Sequence, residues 1–206
     1  MKIQIHTDFN QHSPEWYAIR RTHIGSSKNP MAVKGKKHPS GLGVAAVEQS
    51  YKIIAGMKEW FDEDQEGFIS AAMEAGNEWE PYARAWYETE QLLDVTEVGY
   101  ITRGDYFGYS PDGLVGDGGL IEIKCPQGKE LARFMITGEI QPDHIKQMQW
   151  GMWVSGRDWC DYVVYNQFDH TGKFSTVYKD SKIHELFDTN AAAFQELMTQ
   201  HLNQLK

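Results

Sequence analysis

Cysteine is scarce in this 206-residue sequence, with Cys125 and Cys160 alone, and they do not stand at metal-ligand spacing. Each lies in an apolar, strand-like run and reads as a buried thiol. The eight histidines are scattered and form no H-E-x-x-H pattern. There is no apolar run long enough to span a bilayer, and the N-terminus MKIQIHTDFNQ lacks the apolar core of a signal peptide. The expectation is a cytoplasmic protein that enters no membrane. Internal repeats, low-complexity tracts and linkers are missing too, so residues 1–206 read as a single domain. Positive charge is in deficit, with 20 Lys and Arg against 29 Asp and Glu and a net charge of −9. At first sight that argues against a nucleic-acid partner. The distribution says otherwise: residues 1–40 hold seven Lys and Arg against two acids, a balance of +5 that leaves −14 for the rest. An acidic chain can bind a polyanion if its cations cluster on one face and a metal supplies the remainder. Arg20, Arg21 and Lys28, followed by Lys34-Gly35-Lys36-Lys37-His38, form such a cluster, although a solvated loop explains the lysines equally well.

What the sequence does have is GYSPDGLVGDGGLIEIKCP, residues 108–126. Asp112 stands ten residues ahead of Glu122, and Lys124 follows two residues later. Strand alternation sends Glu122 and Lys124 to one face and Ile123 to the other. Oxygen ligands of this kind suit a hard divalent cation, which polarises a phosphate and acidifies a bound water. The Ile123 carbonyl is available as a further ligand. Both faces of LIEIKCP are largely apolar, which marks a buried strand, where a glutamate and a lysine are costly unless paired or metal-bound. The plain alternatives are a salt bridge at the strand end and a turn-forming role for Asp112 beside Gly113.

The rest of the chain reads as follows. An extended lead-in runs to Asn10, then Ser13 caps a helix that starts at Pro14 and ends near Arg21. A second short helix begins after Ser26, and another spans about 44–60. A helix over about 69–88 carries Ile69, Met73, Gly76, Ala83 and Tyr87 on one stripe, with Glu80 among them. A carboxylate on a buried stripe needs a partner. Arg84, one turn on, is the structural candidate, and a kink at Pro81 is the device that would aim Glu80 inward. Strands are expected at 95–102, 106–109, 113–115 and 120–125 as a mainly antiparallel meander. Helices at about 129–137 and 142–155, strands at 159–167 and 174–179, and an amphipathic helix at 181–205 complete the pattern. Its stripe is Ile183, Leu186, Phe187, Phe194, Leu197, Met198 and Leu205. The order predicts an α+β fold with the sheet between helices.

Four segments resemble the phage-type recombination exonucleases, the lambda exonuclease or YqaJ family of the PD-(D/E)xK superfamily. They are PEWYAIRRTHIGSS (14–27), EAGNEWEPYAR (74–84), SPDGLVGDGGLIEIKCP (110–126) and DHIKQMQWGMWVSG (143–156). The resemblance implies a restriction-endonuclease-like core of α/β/α layers, with a mixed central sheet flanked by helices. It implies a Mg²⁺-dependent 5′-to-3′ exonuclease on linear double-stranded DNA, with two ions per site and Mn²⁺ as a substitute. Such an enzyme works as a ring-shaped homotrimer and leaves a 3′ overhang for a single-strand annealing protein. Asp112, Glu122 and the Ile123 carbonyl correspond to the metal ligands, Lys124 to the catalytic lysine, Glu80 to the upstream helical acid and Gln147 to a supporting glutamine. Without the resemblance Gln147 would pass for an ordinary exposed helical residue. Arg20, Ser27 and Ser110 are similar to residues that hold the terminal 5′-phosphate. A further arginine of the family is replaced here, so that its role falls to Lys129 as a point charge. Two competing expectations are an endonuclease on the same fold and a non-catalytic DNA-binding recombination accessory protein.

Overall fold

The computed structural model describes residues 1–27, 40–60 and 71–206, with the backbone alone for 71–77. The expected short helix after Ser26, the lysine run at 34–37, and the stripe positions Ile69, Met73 and Gly76 lie outside what is described. The ordered elements are β1 (Ile3–His6), α1 (Pro14–Arg21), α2 (Val44–Met57), α3 (Ala71–Gln91), β2 (Val95–Thr96), β3 (Tyr100–Arg103), β4 (Phe107–Tyr109), β5 (Gly113–Val115), β6 (Gly119–Lys124), α4 (Gly128–Thr137), α5 (Pro142–Ser155), β7 (Trp159–Asn166), β8 (Thr171–Tyr178) and α6 (Ser181–Gln204).

Several boundaries follow from local chemistry. Ser13 caps α1, its side chain accepting from the Trp16 N–H, and Pro14 occupies the first turn, where its missing N–H costs nothing. Gly138 and Gly156 end α4 and α5 in the left-handed conformation. Pro81 lies inside α3, which continues through it as one helix.

The expected meander is split between two sheets. Strands β1, β3 and β4 form an antiparallel three-stranded sheet, whereas β2, β5, β6, β7 and β8 form a five-stranded sheet. The change of sheet falls at Ser110-Pro111-Asp112, where proline cannot donate to a ladder. The stretch 95–102 is likewise two strands, β2 and β3, with Gly99 between them. A Cβ there would lie 2.3 Å from the Phe9 carbonyl oxygen, so only glycine lets the N-terminal segment pack so closely. Strand β6 pairs antiparallel with β5 and parallel with β7, the crossover being made by α4 and α5. The sheet is therefore mixed.

Alternation along β6 and β7 divides the core. Ile121, Ile123, Val163 and Tyr165 face Ala83 and Tyr87 of α3. Leu120, Cys160, Tyr162 and Val164 face the larger cluster, which includes Phe134 of α4, Trp150 and Trp153 of α5, and Phe187 and Phe194 of α6. Helix α5 is buried continuously from Met148 to Val154. The stripe expected on α6 holds except at its end, where Leu205 lies beyond the last turn and is exposed. Cys160 is buried as expected, while Cys125 has left the strand and is only half-buried. Among the described residues no helix is long and apolar enough to cross a membrane.

One polar network sits inside the α3 face. Asp161 of β7 is buried and accepts from the Tyr87 hydroxyl at 2.6 Å and the Thr176 hydroxyl at 2.6 Å. Tyr87→Phe removes a donor to a buried carboxylate while keeping the ring, and it should cost about 1.5–3 kcal/mol of unfolding free energy. Urea titration monitored by tryptophan fluorescence measures it, and an unchanged midpoint would mean Asp161 is satisfied elsewhere.

Candidate active site

The site forms where β6 outruns its neighbour β5. Strand β5 covers residues 119–121 of β6, which leaves 122–124 unpaired along that edge. Asp112, just before β5, reaches across the gap, and its carboxylate accepts the Ile123 backbone N–H at 2.6 Å. The N–H and C=O of one strand residue point to the same side. The Ile123 carbonyl therefore faces the same open edge as Asp112.

Glu122, on the opposite face from Ile123, is 1% exposed. Three donors hold its carboxylate: Lys124 Nζ at 2.5 Å and Gln147 Nε2 at 2.6 Å on Oε1, and the Tyr109 hydroxyl at 3.1 Å on Oε2. Tyr109 reaches it because Gly151 of α5 leaves room. A Cβ at Gly151 would lie 2.6 Å from the Tyr109 ring. Gln147 thus reaches from α5 to Glu122.

Glu80 of α3 makes the ion pair with Arg84 at 2.6 Å that the sequence offered as its structural role. Arg84 does more than neutralise it. It donates through Nε and Nη2 to the Asp112 carbonyl at 3.3 and 3.2 Å, and through Nη1 to Glu97 at 2.9 Å. Glu80 is therefore tied to Asp112 through one guanidinium.

The electrostatics suit a cation. Burial and the neighbouring Glu122 charge push the Asp112 carboxyl well above the usual carboxylate range, against the pull of Lys124 and the Ile123 N–H. Burial also raises Glu80, although Arg84 and Lys124 oppose it. Burial would lower the Lys124 ammonium, but Glu122 and Asp112 outweigh it and hold it above the ordinary lysine value. Closely spaced carboxylates that resist ionising together are the setting in which a divalent ion is stabilising. Among the described residues no three His, Cys, Asp or Glu side chains gather at ligating distance. The donors that fit such an ion are two carboxylates and a backbone carbonyl, all oxygen and all hard.

Beyond Asp112 opens a cleft of about 270 Å³, lined among others by Gln11, His12, Glu80, Arg84, Val98 and Asp112. The His12 ring lies 4.8 Å from that of Trp16, tilted at 47°, the Trp16 indole N–H donates to Ser110 at 2.8 Å, and Arg20 lies over the Trp16 ring at 3.9 Å. Ile24 bridges Phe107 in parallel, which ties the segment after α1 to the start of β4. Arg20 and Ser110 thus meet at the Trp16 ring, beside the His12 that lines the cleft. Lys129 is exposed in the first turn of α4 and contacts none of them among the described residues. The sequence reading missed Tyr109, the bond from Arg84 to Asp112, and Trp16. Of these only Tyr109 left a signal, as an apolar-strand aromatic directly before the SPD turn.

A mixed sheet flanked by helices, with an aspartate at a strand entry and a glutamate and lysine two apart on the next strand, defines a protein of the PD-(D/E)xK type. Residues 15–158 match the profile of the YqaJ-like viral recombinase domain. The chain belongs to that family. It is similar to an alkaline exonuclease from Laribacter hongkongensis, with 33% identity, a TM-score of 0.75, and coverage of 94% of this chain and 96% of that one. The structure of that exonuclease with dAMP gives 32% identity and a TM-score of 0.73, again over 94% and 96% of the two chains. A phage-related exonuclease from Haemophilus somnus 129PT shares the fold, with a TM-score of 0.62 at 13% identity, over 91% of this chain and 98% of that one. No curated protein matches significantly.

Proposed function

We propose that the protein is a Mg²⁺-dependent 5′-to-3′ exonuclease acting on linear double-stranded DNA. It releases 5′-mononucleotides and leaves a 3′ overhang for a single-strand annealing partner. The observation that carries this reading is the meeting of Asp112, Glu122 and Lys124 at the unpaired edge of β6, beside a cleft whose His12 leads through Trp16 to Arg20 and Ser110. Family likeness supports the rest: a ring-shaped homotrimer and a place in homologous recombination.

Asp112, Glu122 and the Ile123 carbonyl would hold Mg²⁺. When bound, the metal supplies charge neutralisation at the scissile phosphate and a more acidic water. The chain's own groups position the rest. Glu122 is immobilised by Gln147 and Tyr109, and it in turn fixes the Lys124 ammonium. The ammonium can then orient the attacking water and meet developing charge. Arg20 and Ser110 take the terminal 5′-phosphate, the guanidinium as a planar fork. The cleft between them and Asp112 would take the terminal nucleotide, which sets a step of one residue per cut.

Linear duplexes with 5′-phosphate or 5′-hydroxyl ends, and a closed plasmid circle, test this under Mg²⁺ and under EDTA. The phosphorylated duplex should be digested at least about tenfold faster than the hydroxyl form, since a charge-assisted contact is lost. The circle should survive, and EDTA should stop digestion. Cleavage of the circle would favour an endonuclease, and no cleavage of any substrate would favour the accessory protein.

A further inference from the structure

A pair outside the acid and lysine set adjoins the same site. Tyr162 of β7 is the register partner of Glu122 and is 4% exposed. Its hydroxyl lies 2.7 Å from Nδ1 of His144, and the two rings stack at 5.5 Å with 29° between planes. His144 sits on α5 one turn before Gln147, the residue that holds Glu122. The histidine therefore stands on the wall that supports the candidate metal ligands, and it is half-buried.

The hydrogen bond has a direction. A phenol keeps its proton at neutral pH. Burial pushes His144 down, with Lys124 acting in the same sense and Glu122, Asp143 and Glu130 opposing, so the imidazole is neutral near pH 7. A neutral imidazole has one N–H. The 2.7 Å contact with Nδ1 fits the phenol as donor and the ring nitrogen as acceptor. The imidazole proton is then on Nε2. Among the described residues Nε2 has no protein partner, and it is not among the buried polar atoms left unpaired. It is a fixed donor at the open edge of the ring.

We infer that His144, held by Tyr162 in its Nε2–H tautomer, donates a hydrogen bond to a non-bridging phosphate oxygen of the DNA strand beside the Lys124 site. The inference rests on the nuclease reading. In it His144 is a substrate-binding residue and Tyr162 a positioning residue. The contact is neutral, so it adds orientation without adding charge, in contrast to the lysines nearby. Orientation by a fixed tautomer is the usual consequence of a hydrogen bond on the opposite ring nitrogen.

The two ring nitrogens can be mimicked separately. The glutamine amide nitrogen lies as far along its side chain as Nε2, and that of asparagine as far as Nδ1. Initial rates on a 5′-phosphorylated linear duplex with Mg²⁺ give kcat and KM for His144→Ala, His144→Gln and His144→Asn, with thermal melting as a fold check. His144→Ala should raise KM by about tenfold or more, the loss of a donor to a charged acceptor. His144→Gln should stay within about threefold of the wild type, and His144→Asn should behave like alanine. The slope of affinity against salt should not change, because no cation is removed. Tyr162→Phe should raise KM severalfold in the wild-type background and add nothing in the His144→Gln background. Recovery by asparagine instead of glutamine, equal loss in all three variants, or no loss in any, would each overturn the inference. Its failure is distinct from that of the nuclease reading, which would show as no Mg²⁺-dependent digestion by the wild type.

Discussion

Asp112→Asn should lower kcat by roughly a thousandfold or more, the scale on which loss of preorganised charge stabilisation is felt, while leaving the fold intact. The fold survives because asparagine keeps an oxygen where the Asp112 carboxylate accepts the Ile123 N–H, so the unpaired edge of β6 remains capped. The carbonyl of residue 112 still accepts from Arg84. Only the charge is lost. In the metal-free protein that charge is a burden, since burial and Glu122 both disfavour it. The variant should therefore melt no lower than the wild type in EDTA. Added Mg²⁺ separates the two. At about 100 times its Kd a ligand stabilises by about 2.7 kcal/mol, which is about 5–10 °C for a chain of this size. The wild type should show that rise and Asp112→Asn should not. Digestion of a labelled duplex and melting with and without Mg²⁺ are the measurements. A variant that still digests DNA, or still melts higher with Mg²⁺, would remove Asp112 from the metal site.

Those two responses depend on geometry that the sequence carried only in part. The helices were legible because their ends are chemical: Ser13-Pro14 at the start of α1, and the αL glycines after α4 and α5. The shared face of Glu122 and Lys124 was legible from strand alternation, and they do meet. Sheet membership was not. Glycine-rich turns between short strands look alike whether the chain folds back into the same sheet or leaves it, and which sheet each strand joins is fixed by pairing distant in sequence. The parallel pairing of β6 with β7 is equally invisible to local pattern, because it is a contact across two helices. Arg84 was legible as the i+4 partner of Glu80, but its hold on the Asp112 carbonyl joins positions 28 apart in sequence. Trp16 shows the same limit. Its i+4 neighbour Arg20 follows from the helix, but only the fold brings Ser110 to it.

Lys124→Met should give an enzyme as inactive as Asp112→Asn but with the opposite response to metal. The lysine lies on the reacting side of the site, and its loss removes the ammonium that orients water, worth about 10²–10⁴ in rate for a positioned proton-handling group. It also leaves Glu122, 1% exposed, with only the neutral donors Gln147 and Tyr109. Removing one partner of a buried ion pair typically costs 3–5 kcal/mol. The Lys124 side chain is 30% exposed, so solvent already weakens the pair, and about 2–3 kcal/mol is the expected loss in EDTA. Mg²⁺ should return most of it, because a divalent ion held at Glu122 would neutralise the buried charge that the ammonium no longer offsets. The melting temperature of Lys124→Met should therefore rise more with Mg²⁺ than that of the wild type, while Asp112→Asn stays flat. If Lys124→Met also failed to respond, Glu122 would be a structural acid paired to a lysine rather than a metal ligand. The site would then reduce to Asp112 and the Ile123 carbonyl, too few oxygen donors to hold a catalytic ion.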